Sequence, residues 1–494
     1  MKNVLLFFPR LNPDHIPESR FLMPLSLLYV ATPLREAGFG VSILDSRLFD
    51  DWRGELTRRI EALDPVCIGI SSITGIQLRG AVEAARLAKR LSPELPVVWG
   101  GVHPSLLPLE CMREDFVDAV VVGEGEETFV EAAGRLASGK TLEGVRGLWY
   151  KDGGTPRSNP DRPKIDLNKV PPLAYDLLEM ESYYRPFWDT EPTGPTFITS
   201  RGCPFRCAYC YIEVFDQRLW RPLTPRRVIE NLQHLVGITG ARSVFCLDDM
   251  FFTDPSRVKE ICRQLVASGL NVELDNVNCR ADAICRFDGE MLHLLQAAGV
   301  RRLFVGLESG SDRILRMIDK GSTRDHAVRA NRVLAGHPIQ PIYAFMAGFP
   351  DETIRDAQET LSLMNQLLDD NPRALVTETS FYTPFPGTTL FQVVKRKGIP
   401  LPTSMEEWSQ MGHNRLLEEM FTPKEVDFFR KVKTLSAYID HKNYETMRHS
   451  DKTTLKRLAA KALSKNFRWR VKNEVFWPLP ERRLLQPPSE FEAG

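Results

Sequence analysis

Along the first third of the chain, short β-branched or aliphatic runs alternate with stretches whose apolar positions recur every three or four residues. The runs at 4–8, 41–44, 66–71, 97–99 and 119–122 read as buried strands, and 25–37 and 78–91 as amphipathic helices, the first stopped by Gly38. This alternation predicts an α/β fold, an open parallel flavodoxin-like (Rossmann-type) sheet over residues 1–140 that binds its ligand at the carboxyl ends of its strands. The Asp152-Gly153 pair predicts a hairpin turn, and Pro156, Pro160, Pro163, Pro171 and Pro172 then break regular structure, so 141–194 reads as a Pro-rich connector. Within it, Tyr183, Tyr184, Phe187 and Trp188 read as packing between domains, with a substrate cage as the alternative. From 195 to 390 strand and helix repeat six times, with strands at 196–200, 243–247, 272–278, 303–307, 341–346 and 375–382. Six such units predict a partial (β/α)6 TIM-like barrel with its chemistry at the strand C-termini, and 391–494 completes the chain as a mainly helical region with a basic tail.

A chain of 494 residues exceeds what one core supports, so several domains are expected. The 64 basic and 64 acidic residues cancel, which gives no general reason to expect a nucleic-acid partner. The asymmetry is local: residues 451–483 hold ten basic side chains against three acidic. There Leu455, Leu458, Ala459, Ala462 and Leu463 share helical spacing, with Phe467, Trp469, Phe476 and Trp477 close by, so the segment reads as a solvated helix packed on the barrel or as a peripheral contact with anionic lipid. The apolar start at residues 4–8 is too short for a signal peptide and no run reaches 18 apolar residues, so a cytoplasmic enzyme is expected. Of nine cysteines, six are scattered (Cys67, Cys111, Cys246, Cys262, Cys279, Cys285) and form no disulfide framework, as in a reducing compartment.

The other three carry the chemistry. In Thr199-Ser200-Arg201-Gly202-Cys203-Pro204-Phe205-Arg206-Cys207-Ala208-Tyr209-Cys210, three thiolates at C-x3-C-x2-C spacing can hold three corners of an iron-sulfur cluster. The fourth corner has no protein ligand, whereas a structural zinc site is closed by four. That vacancy suits a molecule offering an adjacent amine and carboxylate, as S-adenosylmethionine (SAM) does. Free core thiols or an incomplete zinc knuckle stay open as blander readings of the spacing.

The spacing, with Tyr209 in the aromatic place, resembles the radical SAM superfamily. Upstream, Ser71-Ser72-Ile73 and Gly100-Gly101 resemble the S-x-L and G-G elements of cobalamin-binding domains, and Gly123-Glu124-Gly125-Glu126-Glu127-Thr128-Phe129 the run that closes such a domain. Together they resemble the cobalamin-dependent radical SAM enzymes of the class B methyltransferase type. The resemblance implies a [4Fe-4S] cluster on Cys203, Cys207 and Cys210, SAM near Tyr209, Asp248, Asp249, Arg280, Glu308 and Ser309, and cobalamin against Ser71, Ser72, Ile73, Gly100 and Gly101. The charges of the Gly-Glu-Gly-Glu run are expected to serve only the following helix. His15 and His103 fit no cobalt-ligand pattern, so no protein imidazole is expected on the lower cobalt face.

The implied activity is methylation of an unactivated carbon, with SAM spent once through methylcobalamin and once as the source of a 5'-deoxyadenosyl radical. The alternative within enzymes is a cyclase or rearrangement enzyme resembling anaerobic magnesium-protoporphyrin monomethyl ester cyclase. The alternative of another class, a non-catalytic corrinoid sensor or carrier, leaves the three cysteines idle. An RNA methylthiotransferase is disfavoured by the lack of a further N-terminal cysteine trio. Expected partners are a small-molecule, lipid or tetrapyrrole substrate and an electron donor such as flavodoxin or ferredoxin.

Overall fold

The computed structural model describes residues 1–10, 22–183, 195–411, 413–440 and 454–476. His15, Tyr184, Phe187, Trp188 and Trp477 lie outside them.

The first five strands are β1 (Asn3–Phe8), β2 (Gly40–Asp45), β3 (Ile68–Ser71), β4 (Val97–Gly100) and β5 (Ala119–Val121), parallel in the order β2-β1-β3-β4-β5. Their side chains alternate between two apolar layers: Val4 and Leu6 face one, Leu5 and Phe7 the other. The strand order reverses between β1 and β3, which opens a crevice above their carboxyl ends. β6 (Leu148–Asp152) and β7 (Thr155–Ser158) form the hairpin expected at Asp152-Gly153, and it adds to the β5 edge as two antiparallel strands. The hairpin thus belongs to the first sheet, and the proline-rich path begins after it. There Tyr183 is buried and donates from its hydroxyl to Asp45 Oδ2 at 2.9 Å, packing the path against the first domain.

The second domain begins with β8 (Thr196–Phe197), followed by the ribbon β9 (Ser200–Arg201) and β10 (Arg221–Pro222). β11 (Ser243–Cys246) pairs with β8 and with β12 (Glu273–Asp275), which is separated from β13 (Val277–Cys279) by Asn276 in a left-handed conformation (φ +54°). β13 leads on to β14 (Arg302–Glu308), β15 (Gln340–Ala347) and the paired pieces β16 (Leu375–Val376) and β17 (Ser380–Phe381), all parallel. Counting split strands once gives the six of the expected partial barrel. Its helices carry local stop and start signals. Thr224 caps Pro225–Thr239, which ends at Gly240 with φ +63°, and Thr353 with Asp356 forms a capping box for Ile354–Asp370.

The C-terminal helices do two jobs that the sequence does not reveal. Met405–Ser409 packs on the first domain, with Met405 and Trp408 in its core and Glu406 3.1 Å from Arg86. Pro423–Ile439 lies along the last barrel strand, where Ser436 Oγ accepts from Thr379 N at 2.9 Å and Asp440 Oδ2 from Val376 N at 3.2 Å. Thr454–Lys472 rests on that helix, burying Phe467 against Tyr438, while Phe476 beyond its end packs on Phe428. The solvated-helix reading therefore fits, and Trp469 remains exposed at 56%.

Candidate functional site

A cavity of about 450 Å³ lies between the two domains, above the carboxyl ends of β1, β3 and β4. The first domain lines it with Leu6, Phe8, Ser71, Ile73, Gly100 and Gly101, and the second with Ile198, Arg201, Tyr211, Ile212 and Asp249. Arg201 and Tyr211 flank the cysteine motif, so one wall of the cavity is the root of that loop.

The glycine rim shows why small residues are needed. Gly101 has φ +95° and ψ −167°, and a Cβ there would meet Ser72 O at 2.5 Å and Ser72 N at 2.9 Å. Beside it, Gly100 has only Val121 Cβ, at 3.9 Å, within reach of a Cβ and leaves that space to a ligand. Ser71 reaches the wall with its hydroxyl 3.1 Å from Ser26 Oγ, and Ile73 is 45% exposed in it. Ser72 is not brought to the cavity. Its side chain is buried with an unpartnered Oγ, and its backbone serves Gly100 and His103 instead. A glycine-edged recess of this kind leaves room for a bulky ligand close to the backbone. His103 lies outside the wall, buried edge-on to Trp408 at 5.8 Å, and burial pushes its imidazole down to about 3.

The cysteine loop is set by its own backbone. Gly202 has φ +83°, a Cβ there would lie 2.1 Å from Leu219 O, and its N–H donates to Asp249 Oδ2 at 2.9 Å. Cys207 is buried, Cys203 and Cys210 partly so, and burial pushes the Cys203 thiol up and that of Cys210 to about 12. Among the described residues no three His, Cys, Asp or Glu side chains close around a point as the shell of one ion does. Thiolates that each take a different iron of a cluster need no such convergence. Arg280 suits an anionic cluster: Nη1 is 4.0 Å from Cys207 Sγ, the guanidinium stacks 3.9 Å from the Phe205 ring, and Nε holds Asp282 at 2.9 Å.

Of the residues expected around SAM, the structure separates neighbours. Asp249 faces the cavity, its carboxyl pushed up to about 6 by burial despite the Gly202 N–H. Asp248 is fully buried; Thr199 N, Thr199 Oγ1 and Ser200 Oγ occupy its oxygens at 2.6, 2.6 and 2.5 Å, so it braces the strand below the cysteines. Glu308, on a bulge with φ +66°, accepts from Tyr209 Oη at 2.8 Å and Lys320 Nζ at 2.7 Å. Ser309 turns away, to Thr360 Oγ1 at 3.1 Å on the helix behind. Lys320 is a residue that sequence reasoning missed. Burial pushes its ammonium down, but the Glu308 charge and hydrogen bond together with the Cys207 thiolate charge hold it up. Nothing in the string Asp319-Lys320-Gly321 distinguishes it from a helix-end lysine.

The Gly-Glu-Gly-Glu run corrects another expectation. Its charges do not cap the next helix: Glu127 at the cap position makes no side-chain bond to the helix N–H groups and accepts from Arg162 Nη1 at 3.2 Å instead. Glu124 and Glu126 reach across the cavity edge to Arg201 at 2.7 and 2.6 Å, and Glu124 also holds Arg221 at 2.7 Å. Burial would raise the Glu124 carboxyl, yet the Arg221 hydrogen bond and both guanidinium charges hold it below the usual range.

The B12 binding domain family matches residues 21–133, and the Radical SAM superfamily matches residues 197–364. An uncharacterized methyltransferase of Pyrococcus horikoshii is 30% identical over 84% of this chain and 88% of its own length. The chain belongs to the cobalamin-dependent radical SAM enzymes. Cobalamin, a [4Fe-4S] cluster and SAM are thus its cofactors, which sets a mere corrinoid carrier aside. Among other members, the anaerobic magnesium-protoporphyrin IX monomethyl ester cyclase of Rubrivivax gelatinosus is 27% identical over 75% of this chain and 66% of its own. The cytidylyl-2-hydroxyethylphosphonate methyltransferase of Streptomyces wedmorensis is 25% identical over 81% and 83%. The cobalamin-dependent SAM radical enzyme OxsB shares the fold, with a TM-score of 0.66 over 99% of this chain and 82% of its own at 17% identity.

Proposed function

We propose that this radical SAM enzyme methylates a carbon of a small-molecule substrate, drawing on SAM both for the methyl group and for the radical. One observation carries the reading: the glycine-edged cavity and the root of the cysteine loop are two walls of the same space. When bound, the corrinoid supplies a transferable methyl group and the cluster supplies the electron that cleaves SAM. The chain's own part is to hold them. Gly100, Gly101, Ser71 and Ile73 would seat the corrinoid, Cys203, Cys207 and Cys210 the cluster, and Arg280 would offset its charge. Asp249, Glu308 and Lys320 are the groups of both signs placed for the SAM ammonium, hydroxyls and carboxylate.

The cyclase relative supports a second reading, ring closure or rearrangement without net methylation. The assay that separates them is anaerobic turnover of the reconstituted enzyme with reductant, quantifying 5'-deoxyadenosine and S-adenosylhomocysteine. Both in parallel support methylation; deoxyadenosine without S-adenosylhomocysteine refutes it in favour of the cyclase branch.

Two partners belong to the same proposal. A flavodoxin or ferredoxin would supply the electron. No described helix is long and apolar enough to cross a membrane. However, Lys461, Lys465, Trp469 and Lys472 are exposed at helical spacing on one face of Thr454–Lys472, opposite buried Ser464, Phe467 and Val471, which supports peripheral contact with anionic lipid and a lipid or tetrapyrrole substrate.

A further inference from the structure

Arg201 is the last residue before Gly202 and Cys203, yet its side chain leaves the barrel. Nη1 donates to Glu124 Oε1 at 2.7 Å, Nη2 pairs with Glu126 Oε1 at 2.6 Å, and the guanidinium lies 4.2 Å over the Tyr29 ring. All three partners come from the first domain and line the cavity. Across the β9–β10 ribbon, Arg221 sits opposite Arg201 and grips the other side of Glu124, at 2.7 and 3.1 Å, while its Nη1 also donates to Ile165 O at 2.9 Å. Ile165 N in turn donates to Glu124 Oε2 at 3.0 Å. Two cations meet Glu124 and Glu126 in a largely buried joint, with side chains only 7–18% exposed, and Asp216 Oδ1 stands 3.7 Å from Arg221 Nη2. Forked guanidinium contacts fix orientation as well as distance, and a desolvated pair resists separation because either partner left alone is a buried, uncompensated charge.

We propose that Arg201 is a positioning residue that ties the cysteine loop to the wall of the corrinoid cavity, so that the cluster site and the corrinoid site are held as one body. The corrinoid half of this statement rests on the function proposed above; the joint itself rests on the contacts alone.

The test uses the full-length chain beside R201K and R201M, each reconstituted with iron, sulfide and hydroxocobalamin. Electron paramagnetic resonance of the reduced cluster is recorded before and after cobalamin is added. The wild type is expected to shift its g values on addition, R201K to shift less, and R201M not to shift at unchanged iron content. A wild-type spectrum indifferent to bound cobalamin, or a full shift retained in R201M, overturns the proposal. Because R201M takes away the guanidinium partner of buried Glu126 and can lose the fold, E126Q is measured as well, with an intermediate shift expected and a full one counting against the joint. Hydrogen exchange in the cofactor-free chain gives a reading independent of cobalamin. R201M and E126Q are expected to speed exchange in 121–127 and 200–211 together, by about a hundred-fold where a buried partner is lost. Unchanged exchange in 200–211 overturns the proposal. If exchange behaves as expected while the wild type binds no cobalamin, the corrinoid reading fails and the joint stands.

Discussion

Gly100→Ala and Gly101→Ala place a methyl group on neighbouring residues of one turn, and the structure makes them fail in different ways. At Gly101 the backbone sits at φ +95°, ψ −167°, a region that costs a side-chain-bearing residue about 1–3 kcal/mol. The new Cβ would also meet backbone atoms, Ser72 O at 2.5 Å and Ser72 N at 2.9 Å, which cannot swing aside as a side chain does. Overpacking of this kind costs about 1–3 kcal/mol more, a total of about 2–6 kcal/mol against the roughly 5–15 kcal/mol that holds a domain together. At about 2–4 °C per kcal/mol, Gly101→Ala should melt about 5–20 °C early with or without ligand. Gly100→Ala meets nothing but Val121 Cβ at 3.9 Å, so its melting should stay within about 1 kcal/mol of wild type. Its methyl stands in the recess, and excluding part of the ligand by about 1–3 kcal/mol weakens cobalamin binding about 5- to 150-fold. Differential scanning fluorimetry and anaerobic cobalamin titration followed by absorbance measure the two effects. Wild-type cobalamin affinity in Gly100→Ala would refute the placement of the corrinoid against this turn.

Cys207→Ala should abolish cluster assembly and all 5'-deoxyadenosine formation while cobalamin still binds at wild-type stoichiometry; residual deoxyadenosine from a fully reconstituted sample would contradict the ligand assignment. Glu352 gives a pH prediction. It is fully buried with Oε1 unpartnered, and burial pushes its carboxyl from its ordinary 4.5 up to about 8, only partly opposed by the Phe349 and Gly348 N–H groups. An acid raised in this way is harmless below about pH 4.5 and lowers stability as pH climbs towards 8, at about 1.4 kcal/mol per unit. Glu352→Gln should therefore match wild type near pH 5 and gain up to about 4 kcal/mol by pH 8 in denaturant titrations, whereas a pH-independent difference would rule out an ionisation origin. For the lipid contact, wild type should sediment with phosphatidylserine vesicles but not phosphatidylcholine ones, and K461E/K465E/K472E should lose about two orders of magnitude in affinity at about 1 kcal/mol per lysine. Equal sedimentation of the variant with anionic vesicles would remove this helix from the account.

What the sequence made legible was local. Alternating apolar runs such as 4–8 and 97–99 have one arrangement that buries them, and the cysteine triad carries its chemistry within eight residues. Facing was not legible. Asp248 and Asp249 are adjacent, and because successive positions at a strand end point opposite ways, one braces Thr199 and the other faces the cavity. The same holds for Ser71 and Ser72, and for Glu308 and Ser309. Long-range pairing was hidden altogether: Glu124 and Arg201 are 77 residues apart, and each looked ordinary beside its neighbours. Trp408 in the core of the first domain is a similar case, since a helix near residue 405 gives no sign of which distant sheet it covers.

Among the described residues no seventh strand lies beside the last barrel strand, and side chains stand in for the ladder: Ser436 and Asp440 meet the amides of Thr379 and Val376. A ladder ties two backbones at every second residue and tolerates little sliding, whereas two side-chain bonds from one helix can be kept while its other positions are exchanged. The barrel thereby ends in a helix held by side chains, whose other positions are free of the backbone pairing that fixes the strands. A position such as Lys433, 3.5 Å from Glu378, can be altered without touching either of these bonds, the cysteines, the glycine rim or the joint between them.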